Sequence, residues 1–170
     1  MLFKETYHGI KPLAILCLVV LFFAGVTPVK AEQELKELKV LSCEASSTQT
    51  KGLLQGETNA NAANVLDNNP ATRWGSEFAD NQWLIMQLNK KSSIKKIVIG
   101  WEIAIAKSYK VLISNDKQNW KEVFSTDNAP RGSAEITLDK AVKGKFIKLD
   151  LRTRATDWGF SIEDIRVMGY

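Results

Sequence analysis

Histidine is all but missing from this chain. The one His, at position 8, stands in a segment with the marks of a removable leader. The rest has no imidazole, which excludes Ser-His-Asp and Cys-His nucleophilic catalysis. Ordinary zinc sites are excluded too, since they draw on several Cys or His ligands. Cysteine is equally scarce: Cys17 lies in the same leader and Cys43 stands alone after it, so no internal disulfide can form. Cys43 falls in a run that reads as a strand, which suits a buried free thiol; a bridge between two chains is the alternative. No Gly-rich phosphate loop follows a strand, no repeat or low-complexity linker is visible, and no stretch clusters Lys and Arg densely enough for nucleic acid. What is left for catalysis is a carboxylate pair. Glu57, Glu102 and Asp157 could supply one, but carboxylates on the loops of a small β domain are more often solvated or bonded to a ligand. The chain is expected not to be an enzyme.

What is there begins with an address. Lys4 and Lys11 precede an apolar run from Leu13 to Val26, and Val29-Lys30-Ala31 has acceptable residues for cleavage after Ala31. The run is shorter than the ~20 residues of a spanning helix, so residues 1–31 read as a secretory signal peptide, with an uncleaved anchor as the alternative. Leu16 is too bulky for a lipobox before Cys17. The product is expected to be secreted or periplasmic, with no membrane partner once the leader is gone. Residues 32–38 form a short charged segment, and 39–170 form one domain with room for one core. Three lysines and one glutamate depart with the leader, which removes half of the net charge of +4.

Short apolar runs recur between turn signals. They are Lys39–Ser47, Gln82–Leu88, Ile94–Trp101, Tyr109–Ser114, Trp120–Phe124, Glu135–Leu138, Phe146–Leu151 and Ile162–Met168. Val, Ile, Phe and Trp suit half-buried pleated surface. Turns are marked by Asn-Lys-Lys, Asn-Asp-Lys-Gln and Asp-Asn-Ala-Pro-Arg-Gly. Many short strands predict an all-β sandwich or barrel, with one helical stretch at Asn61–Leu66. Its successor, Asp67-Asn68-Asn69-Pro70-Ala71-Thr72, is rich in oxygen donors. Such a turn can wrap a hard cation; the alternative is that Asp67 and Asn68 only cap a turn. A secreted domain without a disulfide also has use for a metal as a staple.

Three stretches taken in order carry a resemblance. "ANVLDNNPATRWGSEFADNQWLIMQL", "IKKIVIGWEIAIAKSYKVLISNDKQNWKEVFST" and "GKFIKLDLRTRATDWGFSIEDIRVMGY" resemble the coagulation-factor type C, or discoidin, domain, and within it the bacterial family-32 carbohydrate-binding modules. The likeness runs over roughly 39–170. It implies an eight-stranded jelly-roll sandwich, a structural calcium ion and a ligand site on loops at one end. The calcium set it implies is Asn64, Asp67, Asn69, Thr72 and Asp164; at the last position the family usually has Glu, one methylene longer. The function implied is non-catalytic recognition of a neutral or amino-sugar glycan by a monomer, with adhesion to a protein or membrane surface as the runner-up.

The residues at that end suit a sugar, which offers fixed hydroxyls and an apolar C–H face. Trp158, in a loop with no burial pattern, can stack on it; folding over the rim is its alternative. Phe160 keeps an aromatic face where relatives often have Tyr. Arg73 is a fork of donors that a rim ion pair would occupy equally well. Phe78 suits stacking or core packing. Glu102, Glu57 and Asp157 would accept from hydroxyls or an ammonium, or stay solvated, and Lys107 could join them or pair with Glu102. The remaining tryptophans, Trp74, Trp83, Trp101 and Trp120, are expected in the core.

Overall fold

Strand alternation decides the architecture. The computed structural model describes residues 33–170; the leader expected over 1–31 lies outside them. In chain order the elements are β1 (Lys36–Glu37), β2 (Val40–Ala45), the 3-10 turn η1 (Ala62–Leu66), β3 (Trp74–Gly75), β4 (Gln82–Trp101), β5 (Ala106–Ser114), β6 (Trp120–Thr126), β7 (Ser133–Arg154) and β8 (Ser161–Gly169). The helical stretch is thus a single short 3-10 element, anchored by buried Ala62 and Val65.

β4 and β7 are long because each serves both layers of a jelly-roll sandwich. The first half of β4 pairs with β2 and with the second half of β7; its second half pairs with β8 and with the first half of β7. All of these pairings are antiparallel. The sequence reading divided each strand in two at its polar turn. The structure instead carries the pairing around a corner, with register shifts between Gln87 and Ser92 and between Ile94 and Lys96. Extra residues on one strand bend it without ending it. β5 and β6 extend one layer, and β1 and β3 flank β8 in the other.

The layout gives the molecule two ends. Gln82, Trp101, Ala106, Arg154 and Ser161 lie at one, from which the loops spring. The corners Leu88–Ser92 and Leu138–Val142, with Gly169, lie at the other.

Between the layers, period-two alternation delivers Leu84, Met86, Ile97, Ile99, Ile147, Leu149, Val111 and Val167 into one core, each essentially inaccessible. Trp101 packs edge-on to Tyr109 at 5.6 Å, and burial pushes the Tyr109 phenol up to about 12. Trp74 is fully buried, as expected. Trp83 and Trp120 are not core. Trp83 follows Gln82 and precedes buried Leu84, so alternation turns it outward, where Lys148 Nζ sits 5.9 Å from its ring. Trp120 is half-buried, its indole N–H donating to Lys117 O. Cys43 is a half-buried free thiol against the core, pushed up to about 12 chiefly by burial. Residues 33–170 cluster as a compact unit with this core entirely inside it.

Leu149 sits at the centre of β7, facing Leu84 and Val111 across the ladder. Leu149→Ala should cost about 2–5 kcal/mol, read as a melting temperature lower by roughly 6–20 °C. A fall of a degree or less would place the core elsewhere.

Candidate functional site

The loops at one end enclose a cleft of about 270 Å³. Its floor is Phe160, 1% exposed, with Ala104 and Ser161 beside it. Its rim is apolar and open to water: Leu54, Phe78, Ile103 and Trp158 are each about half exposed. These are four of the six exposed large hydrophobic side chains among the described residues. Scattered singly they would mean nothing, but gathered on one concavity they mark a binding surface.

Trp158 is held from below. Arg154 donates from Nη1 to the carbonyls of Asp157 and Trp158, at 2.9 and 3.1 Å. Asp80 accepts from Arg154 N and Nε, at 2.9 and 3.1 Å. Those bonds, the backbone one foremost, hold the Asp80 carboxyl below its ordinary pKa. The next residue must be glycine: a Cβ on Gly159 would come within 2.8 Å of Ser76 O, Ser76 Oγ and Glu77 O. That closeness lets Phe160 N–H donate to Ser76 Oγ and Ser76 N–H to Phe160 O. The aromatic loop and the loop bearing Phe78 are therefore stitched into one wall.

Arg73 lines the back of the cleft, but its fork is already engaged. Nη2 donates to Glu57 Oε2 at 3.0 Å, and Nε lies 2.9 Å from Oε1, a close ion-pair contact off the hydrogen-bond axis. Nη1 donates to Gln49 Oε1 at 3.0 Å and Ser161 Oγ at 3.3 Å. Both charged side chains are 6% exposed. Gln49 passes the restraint on, donating to the carbonyls of Lys51 and Gly52. Of the two readings of Arg73, the ion pair is the one realised. Glu57 is its partner and does not line the cleft.

Glu102 does line it. Among the described residues only the Ala104 N–H donates to its carboxylate, at a long 3.3 Å. Glu163 lies close enough that, after its own partial burial, the charge of Glu102 raises its pKa. This flank of the cleft is therefore acidic. Asp157 and Lys107 are exposed and outside the lining; Asp157 contributes its carbonyl to Arg154, and Lys107 its own to Ala129 N–H. Sequence reasoning missed Leu54 and Ile103 on the rim and the braces Gln49, Asp80 and Arg154. Ile103 carried no signal, since it shares the parity of buried Trp101 and alternation would turn it inward. The braces carried none, because their partners are up to 74 positions away.

The oxygen-rich turn lies apart from the cleft. Thr72 Oγ1 is 2.8 and 3.0 Å from the two Asp67 oxygens and 3.0 Å from Asn69 O. Asn69 N–H donates to Asp67 Oδ1, and Asn68 takes a left-handed φ of 55°. Carboxylate, hydroxyl and carbonyl oxygens thus converge, which is the donor chemistry a hard cation takes. Asn64 instead uses its amide N–H to hold Arg73 O and Asn59. Asp164 shares a hollow with Asn68 and Asn69 but is bonded to Arg166 Nε at 3.1 Å.

A jelly-roll sandwich with a single-ended aromatic cleft defines a recognisable class of module. The chain belongs to the F5/8 type C domain family, whose model matches residues 42–164. Solved structures agree. It is 30% identical to chitosan-binding module 1 of a chitosanase/glucanase from Paenibacillus sp. IK-5, over 75% of this chain and 94% of that one, with a TM-score of 0.67. It is 32% identical to module 2 of the same enzyme, solved with chitotriose, over 74% and 94%, with a TM-score of 0.66. The family 32 module of NanJ from Clostridium perfringens, solved with galactose, shares the fold at 18% identity and a TM-score of 0.63, over 75% and 92%. A curated relative, the polysaccharide lyase 8 family protein HylA of Enterococcus faecalis, is 30% identical over 86 residues, 49% of this chain and 6% of its own length.

The Arg73–Glu57 pair makes a test. Glu57→Gln leaves a buried guanidinium without its counter-charge, which should cost about 3–5 kcal/mol in chemical denaturation. A Glu57 that served only a ligand would leave stability unchanged.

Proposed function

We propose that the protein is an exported, non-catalytic carbohydrate-binding module that grips an amino-sugar glycan in the cleft of Phe78, Trp158 and Glu102. The observation that carries this is the gathering of exposed apolar side chains around one carboxylate at the loop end. Flat apolar rims match the C–H faces of pyranose rings. Glu102 supplies a charge-assisted acceptor for an ammonium, and Glu163 beside it adds to the same field. Arg73 and Glu57 neutralise each other and fix the back wall, so the uncompensated charge facing the ligand is negative. The likeness to two chitosan-binding modules at 30% and 32% identity supports the same ligand class. Calcium belongs to this reading as a staple: Asp67, Asn69 and Thr72 would hold it, closing the turn that leads into Arg73.

Titration calorimetry of residues 33–170 against glucosamine oligomers should show binding that Trp158→Ala weakens by roughly tenfold or more, the loss of one stacked aromatic. Glu102→Gln should lower affinity for the amino form and leave the N-acetylated form nearly unchanged. Equal affinity for uronic-acid or sulfated polymers, or equal loss for both forms, would refute the charge argument. In differential scanning calorimetry, EDTA should lower the melting temperature and added calcium should restore it. An unchanged curve, with no calcium by elemental analysis, would remove the metal from the proposal.

A further inference from the structure

The end opposite the cleft gathers a charge that the sequence disperses. Lys90 and Lys91 occupy the corner of β4, and Lys140 and Lys143 that of β7, where Ser93 pairs with Lys143. Lys39 joins them because its carbonyl accepts from Asn89 N–H. Lys36 joins because it pairs with Gly169, which itself pairs with Ile94. All six are exposed, and none enters an ion pair among the described residues. The acidic residues among them are Glu34, Glu37 and Asp139, so cations outnumber anions twofold. Exposed Tyr170 stands with Lys36, Lys39 and Lys90 around an open hollow of about 470 Å³.

We propose that this end docks on an anionic bilayer surface, with the glycan cleft held away from it. Two observations favour a bilayer over a soluble polyanion. The lysines gather at an end of the molecule instead of tracking along a groove. An exposed Tyr sits among them, the side chain that settles at a lipid headgroup interface. From corner to cleft, Ser92–Trp101 spans about 30 Å at ~3.3 Å per residue, so a docked domain presents its loops outward. This is independent of the glycan reading and uses none of its residues.

Vesicle co-sedimentation of residues 33–170 tests it. Vesicles of equimolar phosphatidylglycerol and phosphatidylcholine should bind the domain at low salt, and pure phosphatidylcholine should not. Binding should vanish near ~0.5 M salt, where screening falls to about 4 Å. The joint variant Lys90→Ala, Lys91→Ala, Lys140→Ala, Lys143→Ala should lose roughly tenfold or more in partitioning, with melting temperature and glucosamine-oligomer affinity unchanged. Trp158→Ala should bind vesicles like the parent. Parent-like binding by the lysine variant, loss of binding in Trp158→Ala, or binding to soluble polyphosphate without binding to vesicles would each overturn the proposal, the last reassigning the surface to a polymer.

Discussion

The structure depends on one constraint: β4 and β7 pair with each other twice, once in each layer, through corners at the same end of the molecule. With both strands turned back together, the connections β3–β4, β4–β5, β6–β7 and β7–β8 all run between the layers at the opposite end. The loops carrying Phe78, Glu102 and Trp158 meet there for that reason, although 80 positions separate the first from the last. The same turn-back stacks the lysine-bearing corners at the other end. The two surfaces are thus products of one topological device and lie a full strand length apart.

The cleft is built to be rigid. Its rim is apolar, yet it is fixed by polar bonds one layer below: Asp80 to Arg154 to the Trp158 loop, Ser76 to Phe160, and Arg73 to Glu57, Gln49 and Ser161. A buried ion pair contributes little net stability after desolvation, and its removal in part is costly. Here its consequence is geometric, since the guanidinium ties a loop near residue 57 to a strand near residue 73 and so sets the position of the back wall. A preformed wall loses less ordering entropy on binding, which suits a module that must recognise one repeating unit in a polymer.

Much was legible before any coordinates. The lack of any histidine after position 8 narrowed the reaction classes open to residues 33–170, and apolar runs between turn signals marked what are now seen as β2, β5, β6 and β8. Such runs also marked both halves of β4 and β7. Trp158, Phe78 and Glu102 were singled out from their loop settings, and they do converge. The errors share a cause. Trp83 and Trp120 were assigned to the core by residue type, when the parity of their neighbours decides the face. Glu57 and Asp157 were grouped by charge, and only one of the three carboxylates lines the cleft. Leu54 and Ile103 were passed over because an apolar residue is expected to hide, and exposure is not written in its identity.

The sequence by itself determined the donor types available after position 8, the apolar runs that become strands, and the few residues whose type makes sense only at a surface. These follow from local physics: side-chain composition, the preference of Val, Ile, Phe and Trp for pleated surface, and the turn chemistry of Asn, Asp, Gly and Pro. Tertiary structure alone decided that Glu57 holds Arg73 at the back of the cleft, that Asp80 braces a loop 74 positions away, and that dispersed lysines become one basic end. Those outcomes depend on pairings across the whole chain, where each partner's identity is compatible with many others and only the completed sheet selects among them.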